Sequence, residues 1–303
     1  MDKNAILTMT RKKRVKKYFA QFKNPYTVVM FLFMLIYVGT FAYTIWWGLI
    51  SSLKEASDYY VNLYGLPKKW AFSNYSLAFS ELYVVVNNMR YYLPHLFMNS
   101  FIYAFGNVAI STVSTCFCAY LCQKYKCKLS SLIYNTYLFM LVIPIVGSVG
   151  ANISFRMMLG IYDNIWLGFI TDIGFNTAPL MMYYAAFAAI PNDYMDAATV
   201  DGAGHWRILL TIMFPMIKVP FAILFLVAFM PQWNDHMGPL IYLPSFPTAA
   251  VGLYRFQLMS TNATASVNVR MAATMIVCMP CLIMFIIFRN QFMGNITFGG
   301  IKG

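Results

Sequence analysis

The sequence has 303 residues, of which 60% are hydrophobic, 18% are aromatic and only 11% are charged. A mean hydropathy of +0.60 leaves too little polar surface for a water-soluble domain of this length, so lipid is expected to be the main solvent. The formal net charge of +12 raises the question of an anionic partner.

The first element is a basic segment, residues 1–25, that precedes the first apolar run. Positive residues stay on the cytoplasmic side during membrane insertion, so we predict a cytoplasmic N-terminus. The segment shows no folded reader module for nucleic acid, so anionic membrane lipid is the expected partner. Its basic residues are Lys3, Arg11, Lys12, Lys13, Arg14, Lys16, Lys17 and Lys23.

Six apolar runs follow, each near the roughly 20 residues that a helix needs to cross a bilayer. They predict an all-α integral membrane protein with six transmembrane helices over residues 26–290 and a cytoplasmic tail at 291–303. The short loop with Lys124, Lys126 and Lys128 falls on the cytoplasmic side of this topology, as the positive charges require. The runs are 26–51, 96–122, 131–155, 164–189, 214–233 and 271–288.

The loop between the fourth and fifth runs, residues 191–213, is richer in charge than its surroundings. Asn192 or Asp193 is suited to cap a helix, and Asp196 favours the positive end of its dipole. Gly202 can adopt the left-handed conformation that ends a helix. These signals predict a short cytoplasmic helix of about two turns.

Ala197 and Ala198 leave part of this helix nearly bare, so we expect another protein surface to approach its backbone there. The stretch resembles the EAA loop of ABC import permeases: EAA, three residues, Gly, nine residues, then Ile, any residue, Leu and Pro. The spacing is kept, with Asp in place of Glu and Phe in place of Leu. The matching residues are Asp196, Ala197, Ala198, Gly202, Ile212, Phe214 and Pro215.

This resemblance implies the type I ABC importer permease fold, with a cytoplasmic coupling helix that docks onto an ATPase subunit. It also implies that ATP and Mg are bound by the partner ATPase and that this chain binds no cofactor. The alternative is an ordinary capped surface turn between two membrane helices. The residues assigned to ATPase coupling are Tyr194, Asp196, Ala197, Ala198, Asp201, Gly202, Ala203, Ile212 and Pro215.

Three further stretches are similar to the carbohydrate importer permeases, and specifically to the second membrane subunit of maltose-type systems. They are LPKKWAFSNYSLAF at 66–79, the WND of residues 233–235 with a later Pro-Leu pair, and the terminal FGGIKG at 298–303. The resemblance implies a multi-pass protein of a bacterial cell membrane that imports a sugar or oligosaccharide. Its implied partners are a second permease subunit, two ATPase subunits and an extracellular solute-binding protein.

Candidate contacts outside the loop follow from the same resemblance. Trp233, Asn234 and Asp235 offer a ring face and hydrogen-bonding groups to a sugar, although a tryptophan there is also typical of an aromatic-belt anchor. Tyr254 and Arg255 lie in an outer loop, 241–268, that would face the binding protein or simply be solvated. The tail residues assigned to a second ATPase contact, with a polar free end as the alternative, are Gly300, Lys302 and Gly303.

The sequence offers no catalytic constellation and no metal site. It contains no GxxxxGK[ST] loop, no HExxH and no GxSxG, and its three histidines are far apart. The Cys278 and Cys281 pair lies in an apolar run, where packing is the simpler interpretation. We therefore predict a non-catalytic membrane subunit.

Two alternatives remain open at this point. The chain could be an ABC permease for a solute other than a sugar. It could instead be a secondary transporter, which would need buried charges and repeated halves. Asp172 is the only acidic residue well inside a run, and no internal repeat is evident.

Overall fold

The computed structural model describes residues 24–143, 147–173, 177–258 and 266–293, without the side chains of residues 172, 177 and 290–293. The chain divides into two compact units, residues 1–72 and 73–303. Each unit is described by itself. The basic segment before residue 24 and the tail with Gly300, Lys302 and Gly303 lie outside the described residues.

The first unit contains the long apolar helix α1 (Pro25–Ser52) and the short helix α2 (Ala56–Val61). Asn24 caps α1, because its Oδ1 accepts a hydrogen bond of 3.1 Å from the backbone N–H of Tyr26. Nearly all of the apolar side chains along the first five turns of α1 are exposed. Such a surface suits lipid or another protein rather than water.

The end of α1 is held by the chain that follows it. The indole N–H of Trp47 donates to the carbonyl of Leu63 at 3.1 Å. Lys54 is fully buried, and its Nζ donates to the carbonyls of Asn62 and Leu63. A buried ammonium group is tolerable only when such acceptors satisfy it.

The second unit is mostly helical. Its α-helices are α3 (Ser73–Glu81), α4 (Leu93–Lys124), α5 (Lys128–Val142), α6 (Ser148–Met158), α7 (Thr177–Ala188), α8 (Asp193–Val200), α9 (His205–Ile208), α10 (Phe214–Asn234), α11 (Met237–Tyr242), α12 (Ala249–Leu258) and α13 (Val267–Met293). A 3₁₀ helix covers Leu167–Asp172, and a π-helical turn covers Leu209–Met213.

A two-stranded antiparallel sheet, β1 (Tyr83–Val86) and β2 (Met89–Tyr92), interrupts the helices. Its two-residue turn has positive φ at both Asn87 and Asn88, which is the geometry of a type I′ hairpin. Val84 is buried in the core of this unit. The prediction of an all-α fold is wrong in this detail, because valines before an Asn-Asn pair and tyrosines after it favour a hairpin.

Four helical segments in the described part of the chain are long and apolar enough to cross a membrane: Pro25–Ser52, Leu93–Lys124, His205–Asn234 and Val267–Arg289. The third predicted run is divided between α5 and α6, and Gly147 precedes α6 in the left-handed conformation. The fourth run begins as the 3₁₀ helix and continues as α7, which is only 12 residues long. Six continuous transmembrane helices therefore remain a prediction.

Helix α4 is the centre of the second unit, since it packs against both α7 and α10. Its last turns contribute Cys116 and Tyr120 to a core that also contains Phe187 and Ile208. This core lies directly behind the charged loop of residues 191–213. The six cysteines, all within the described residues, are free thiols.

Candidate functional site

The short helix predicted in the charged loop is present as α8, which is eight residues long. Asp193 and Asp196 lie in its first turn, and Gly202 follows it with φ of +77°. Asn192 occupies the predicted N-cap position, but its side chain makes no capping hydrogen bond. Its Oδ1 instead accepts a hydrogen bond of 3.0 Å from Nζ of Lys124.

The two alanines of α8 face different surroundings. Ala198 is only 7% exposed and packs into the core with Tyr120 and Phe187. Ala197 is exposed. Successive helical residues point about 100° apart, so Ala198 can turn into the core while Ala197 faces outward. The placement of Ala198 argues against the expectation that both alanines are bare to a partner.

An open groove of about 540 Å³ runs along α8. Two carboxylates, those of Asp193 and Asp201, give its lining a negative character. Of the nine residues predicted for ATPase coupling, five line this groove and four, Asp196, Gly202, Ala203 and Pro215, do not. The lining residues are Pro191, Asp193, Tyr194, Ala197, Ala198, Asp201 and Ile212.

The loop is fastened on both sides of α8 to the end of α4 and to the residue that follows it. Ahead of α8, Lys124 Nζ donates to the carbonyl of Ile190 at 2.6 Å. After α8, the Tyr125 hydroxyl and Nδ1 of His205 lie 2.8 Å apart and share a hydrogen bond. The sequence interpretation missed these anchors, because it used Lys124 only as a signal of topology.

The irregular junction between the loop and α10 has a local structural cause. Proline lacks an N–H and its ring collides with the preceding helical turn, so a helix must adjust ahead of it. Here the π-helical turn ends just before Phe214 and Pro215. Ile212 belongs to that turn, and its side chain is partly packed against the core behind α8. Ile212 and Pro215 therefore lie at the junction where the loop enters α10.

A second candidate site is a polar chamber of about 340 Å³ among α4, α6, the 3₁₀ helix, α10 and α11. Asp235 is the member of the predicted WND stretch that lines it. One Asp235 oxygen accepts from the Tyr103 hydroxyl at 2.8 Å, and the other accepts from the N–H of Gly238 at 3.0 Å. A Cβ at Gly238 would collide with the side chains of both Asp235 and Tyr103, so a larger residue there would displace this hydrogen-bonded pair.

Trp233 and Asn234 do not line the chamber. Trp233 is 3% exposed, and its indole N–H donates to the carbonyl of Val277 at 3.1 Å. Asn234 donates to the carbonyl of Met230 at 2.8 Å. This placement argues against both a sugar contact and an aromatic-belt role for the Trp233 ring, because its faces are covered by protein.

The predicted contact with a binding protein lies on α12. The Tyr254 ring stacks on His236 with centroids 4.7 Å apart. Arg255 is half-buried in the last turn of this helix. Residues 259–265 of the same predicted outer loop lie outside the described residues, and a binding-protein contact stays a prediction.

The long apolar helices, the fastened loop helix and the polar chamber together define a helical membrane permease. The chain belongs to the family of binding-protein-dependent transport system inner membrane components, whose family model matches residues 70–297. The predicted resemblance to carbohydrate ABC import permeases is thereby confirmed at the level of the family. Members of this family are membrane subunits and are not themselves the ATPase.

Among its relatives, the diacetylchitobiose uptake system permease protein of Streptomyces coelicolor is 24% identical over 84% of this chain and 82% of the relative. The arabinooligosaccharides transport system permease protein of Bacillus subtilis is 24% identical over 92% of this chain and 97% of the relative. A bacterial ABC transporter involved in alginate import contains a chain of similar fold. That comparison gives a TM-score of 0.70 at 18% identity, covering 94% of this chain and 99% of the other.

Proposed function

We propose that this chain forms one half of the translocation pathway of an ATP-driven importer for an oligosaccharide. A second permease subunit forms the other half, and an extracellular solute-binding protein delivers the sugar. The proposal is supported by family membership and by relatives that are named for sugar transport. The single observation that carries it is the charged loop with α8, which keeps the spacing of an import permease.

The coupling step follows from how α8 is exposed and fastened. Tyr194 and Val200 are 51% and 87% exposed, so two large apolar side chains are accessible for packing against a partner surface. The carboxylates of Asp193 and Asp201 line the adjacent groove and suit basic side chains. In the proposed complex an ATPase subunit docks here. Its closure on ATP moves α8, and Lys124 transmits the movement to α4.

The remaining assignments complete this proposal. Both termini are cytoplasmic, six spans cross a bacterial cell membrane, and the tail with Gly300, Lys302 and Gly303 adds a second contact with the ATPase dimer. ATP and Mg are held by that dimer and not by this chain. Alternating access then arises when the ATPase closes and the spans rotate about the pathway.

Deletion of the gene, followed by uptake measurements, tests the substrate class. We expect the deletion strain to lose uptake of at least one of four labelled sugars, diacetylchitobiose, maltotriose, lactose and arabinotriose, and a plasmid copy to restore it. Unchanged uptake of all four would contradict a sugar importer for these substrates.

A second candidate substrate is a phosphorylated polyol. The sn-glycerol-3-phosphate transport system permease protein of Yersinia pestis is 24% identical over 67% of this chain and 72% of the relative. Labelled glycerol-3-phosphate therefore belongs in the same uptake panel. Loss of its uptake alone would favour this second candidate.

A further inference from the structure

We infer that the polar chamber of this subunit is a transit site that holds one neutral sugar unit during import. This inference rests on the proposed function and names a substrate contact within it. The chamber is built from residues that are distant in sequence, chiefly Tyr103, Asn107, Arg156, Thr171 and Asp235.

The first observation is an unsatisfied amide deep in α4. Asn107 is 6% exposed and lines the chamber. Its Oδ1 is buried and, among the described residues, has no hydrogen-bond partner. Leaving a buried acceptor unsatisfied is destabilising, so a donor from a ligand would recover this energy. A sugar hydroxyl is such a donor.

The second observation is a guanidinium group positioned across the chamber. One nitrogen of Arg156 donates to the Thr171 hydroxyl at 2.6 Å, and that hydroxyl donates to the carbonyl of Gly168 at 2.7 Å. The guanidinium carbon lies 4.6 Å from the centre of the Tyr242 ring. These contacts fix the plane of a group that carries five N–H donors, and the donors that no described residue engages are available to hydroxyl oxygens.

The third observation concerns charge. Asp235 accepts two hydrogen bonds from protein, whereas a carboxylate offers about four lone-pair sites. The described charged side chains of the lining are one arginine and one aspartate, Arg156 and Asp235, which balance. A neutral ligand with many hydroxyls satisfies both donors and acceptors, whereas an anion would meet the Asp235 carboxylate. The chemistry therefore favours a neutral sugar over a phosphate ester.

The size of the chamber limits its occupant. Its volume of about 340 Å³ is near the lower end of the roughly 300–1,000 Å³ that is typical of small-molecule sites. A chamber of this size suits a single sugar ring. A longer oligosaccharide would pass through it one unit at a time.

The test uses the complete importer, with its partner permease, ATPase and binding protein, reconstituted in proteoliposomes. The probe is whichever of labelled diacetylchitobiose, maltotriose, lactose or arabinotriose the wild type accumulates. We expect Asn107→Leu and Arg156→Met each to lower the ratio of sugar accumulated to ATP hydrolysed at least fivefold. Thr171→Val should lower it twofold or more, because Arg156 loses its acceptor.

The matched control is Thr136→Val, which makes the same chemical change at an exposed position of α5 outside the chamber. We expect it to keep the wild-type ratio. Wild-type ratios in both Asn107→Leu and Arg156→Met would overturn the transit site and leave the importer assignment intact. If Asn107→Leu does not assemble, Arg156→Met decides. A wild-type complex that accumulates none of the four sugars would instead refute the proposed function for these substrates.

Discussion

Lys124 and Ile190 are joined by a hydrogen bond of 2.6 Å between residues 66 positions apart, from Nζ at the end of α4 to the carbonyl that precedes the charged loop. The same Nζ also donates to Oδ1 of Asn192. Two bonds from one ammonium group therefore tie α8 to the central helix of the second unit. In the proposed mechanism, these bonds pass a movement of α8 directly to α4.

Lys124→Met tests this connection. Hydrogen bonds from a charged donor contribute about 1.5–3 kcal/mol, so the loop should loosen while the apolar stem of residue 124 is kept. We expect normal amounts of protein in the membrane and a fall of several-fold in sugar imported per ATP hydrolysed. Lys126→Met is the matched control, because Lys126 is exposed in the same short loop. Equal coupling in both variants would contradict a mechanical role for Lys124.

Substitutions at Ala197 and Ala198 test docking and folding separately. Ala197→Arg adds a charged side chain on the exposed side of α8, so the protein should fold normally and fail to couple ATP hydrolysis to uptake. Ala198→Arg places an unpaired charge in the core, which costs several kcal/mol. We expect Ala198→Arg to lower the amount of protein in the membrane as well as uptake, as measured by immunoblot and transport. Normal uptake by Ala197→Arg would contradict the docking assignment.

The local features of this loop could be predicted from the sequence, and its long-range contacts could not. Acidic residues at a helix start and a glycine at its end act within one or two turns, so α8 and Gly202 follow from nearby residues alone. The burial of Ala198 and the anchor from Lys124 depend on α4, a distant part of the chain. Periodicity carries no information about which helix becomes the neighbour.

The polar chamber likewise could be predicted from the sequence only in its local features. Asn107, Asn152 and Arg156 are polar residues inside or at the edge of apolar runs, and this signal could have marked them as a group. Their convergence with Thr171 and Asp235 depends on how five helical segments meet. By contrast, the hairpin at residues 83–92 had a readable signal in Asn87-Asn88 between a run of valines and a pair of tyrosines.

Gly202 is required for its backbone conformation, since its φ of +77° disfavours residues with a Cβ by about 1–2 kcal/mol. Gly202→Val should distort the end of α8 and reduce coupled uptake strongly. Gly202→Asn should retain most of it, because Asn tolerates the left-handed region. Gly204→Val is the matched control, because Gly204 has an ordinary φ of −71° and open space around it. Equal loss in the Gly202→Val and Gly204→Val variants would show that bulk, and not conformation, is responsible.

Chemical labelling of Cys127 can show which side of the membrane the loop after α4 faces. It is exposed at the start of α5, and its Sγ accepts a hydrogen bond of 3.4 Å from the backbone N–H of Ser130. This N–H, and then the Ser130 hydroxyl, lower the pKa of the Cys127 thiol. A lower pKa means that more reactive thiolate is present at neutral pH, so maleimide labelling should already be fast there.

A membrane-impermeant maleimide should therefore label inverted vesicles at Cys127 and leave intact spheroplasts unlabelled. The other five cysteines are buried or half-buried, so Cys127→Ser should remove most of the signal. Ser130→Ala removes the hydroxyl and keeps the backbone donor that lowers the thiol pKa most. It should shift the pH dependence of labelling only slightly toward that of an ordinary thiol. Labelling of spheroplasts at Cys127 would reverse the proposed topology, and with it the cytoplasmic position of α8.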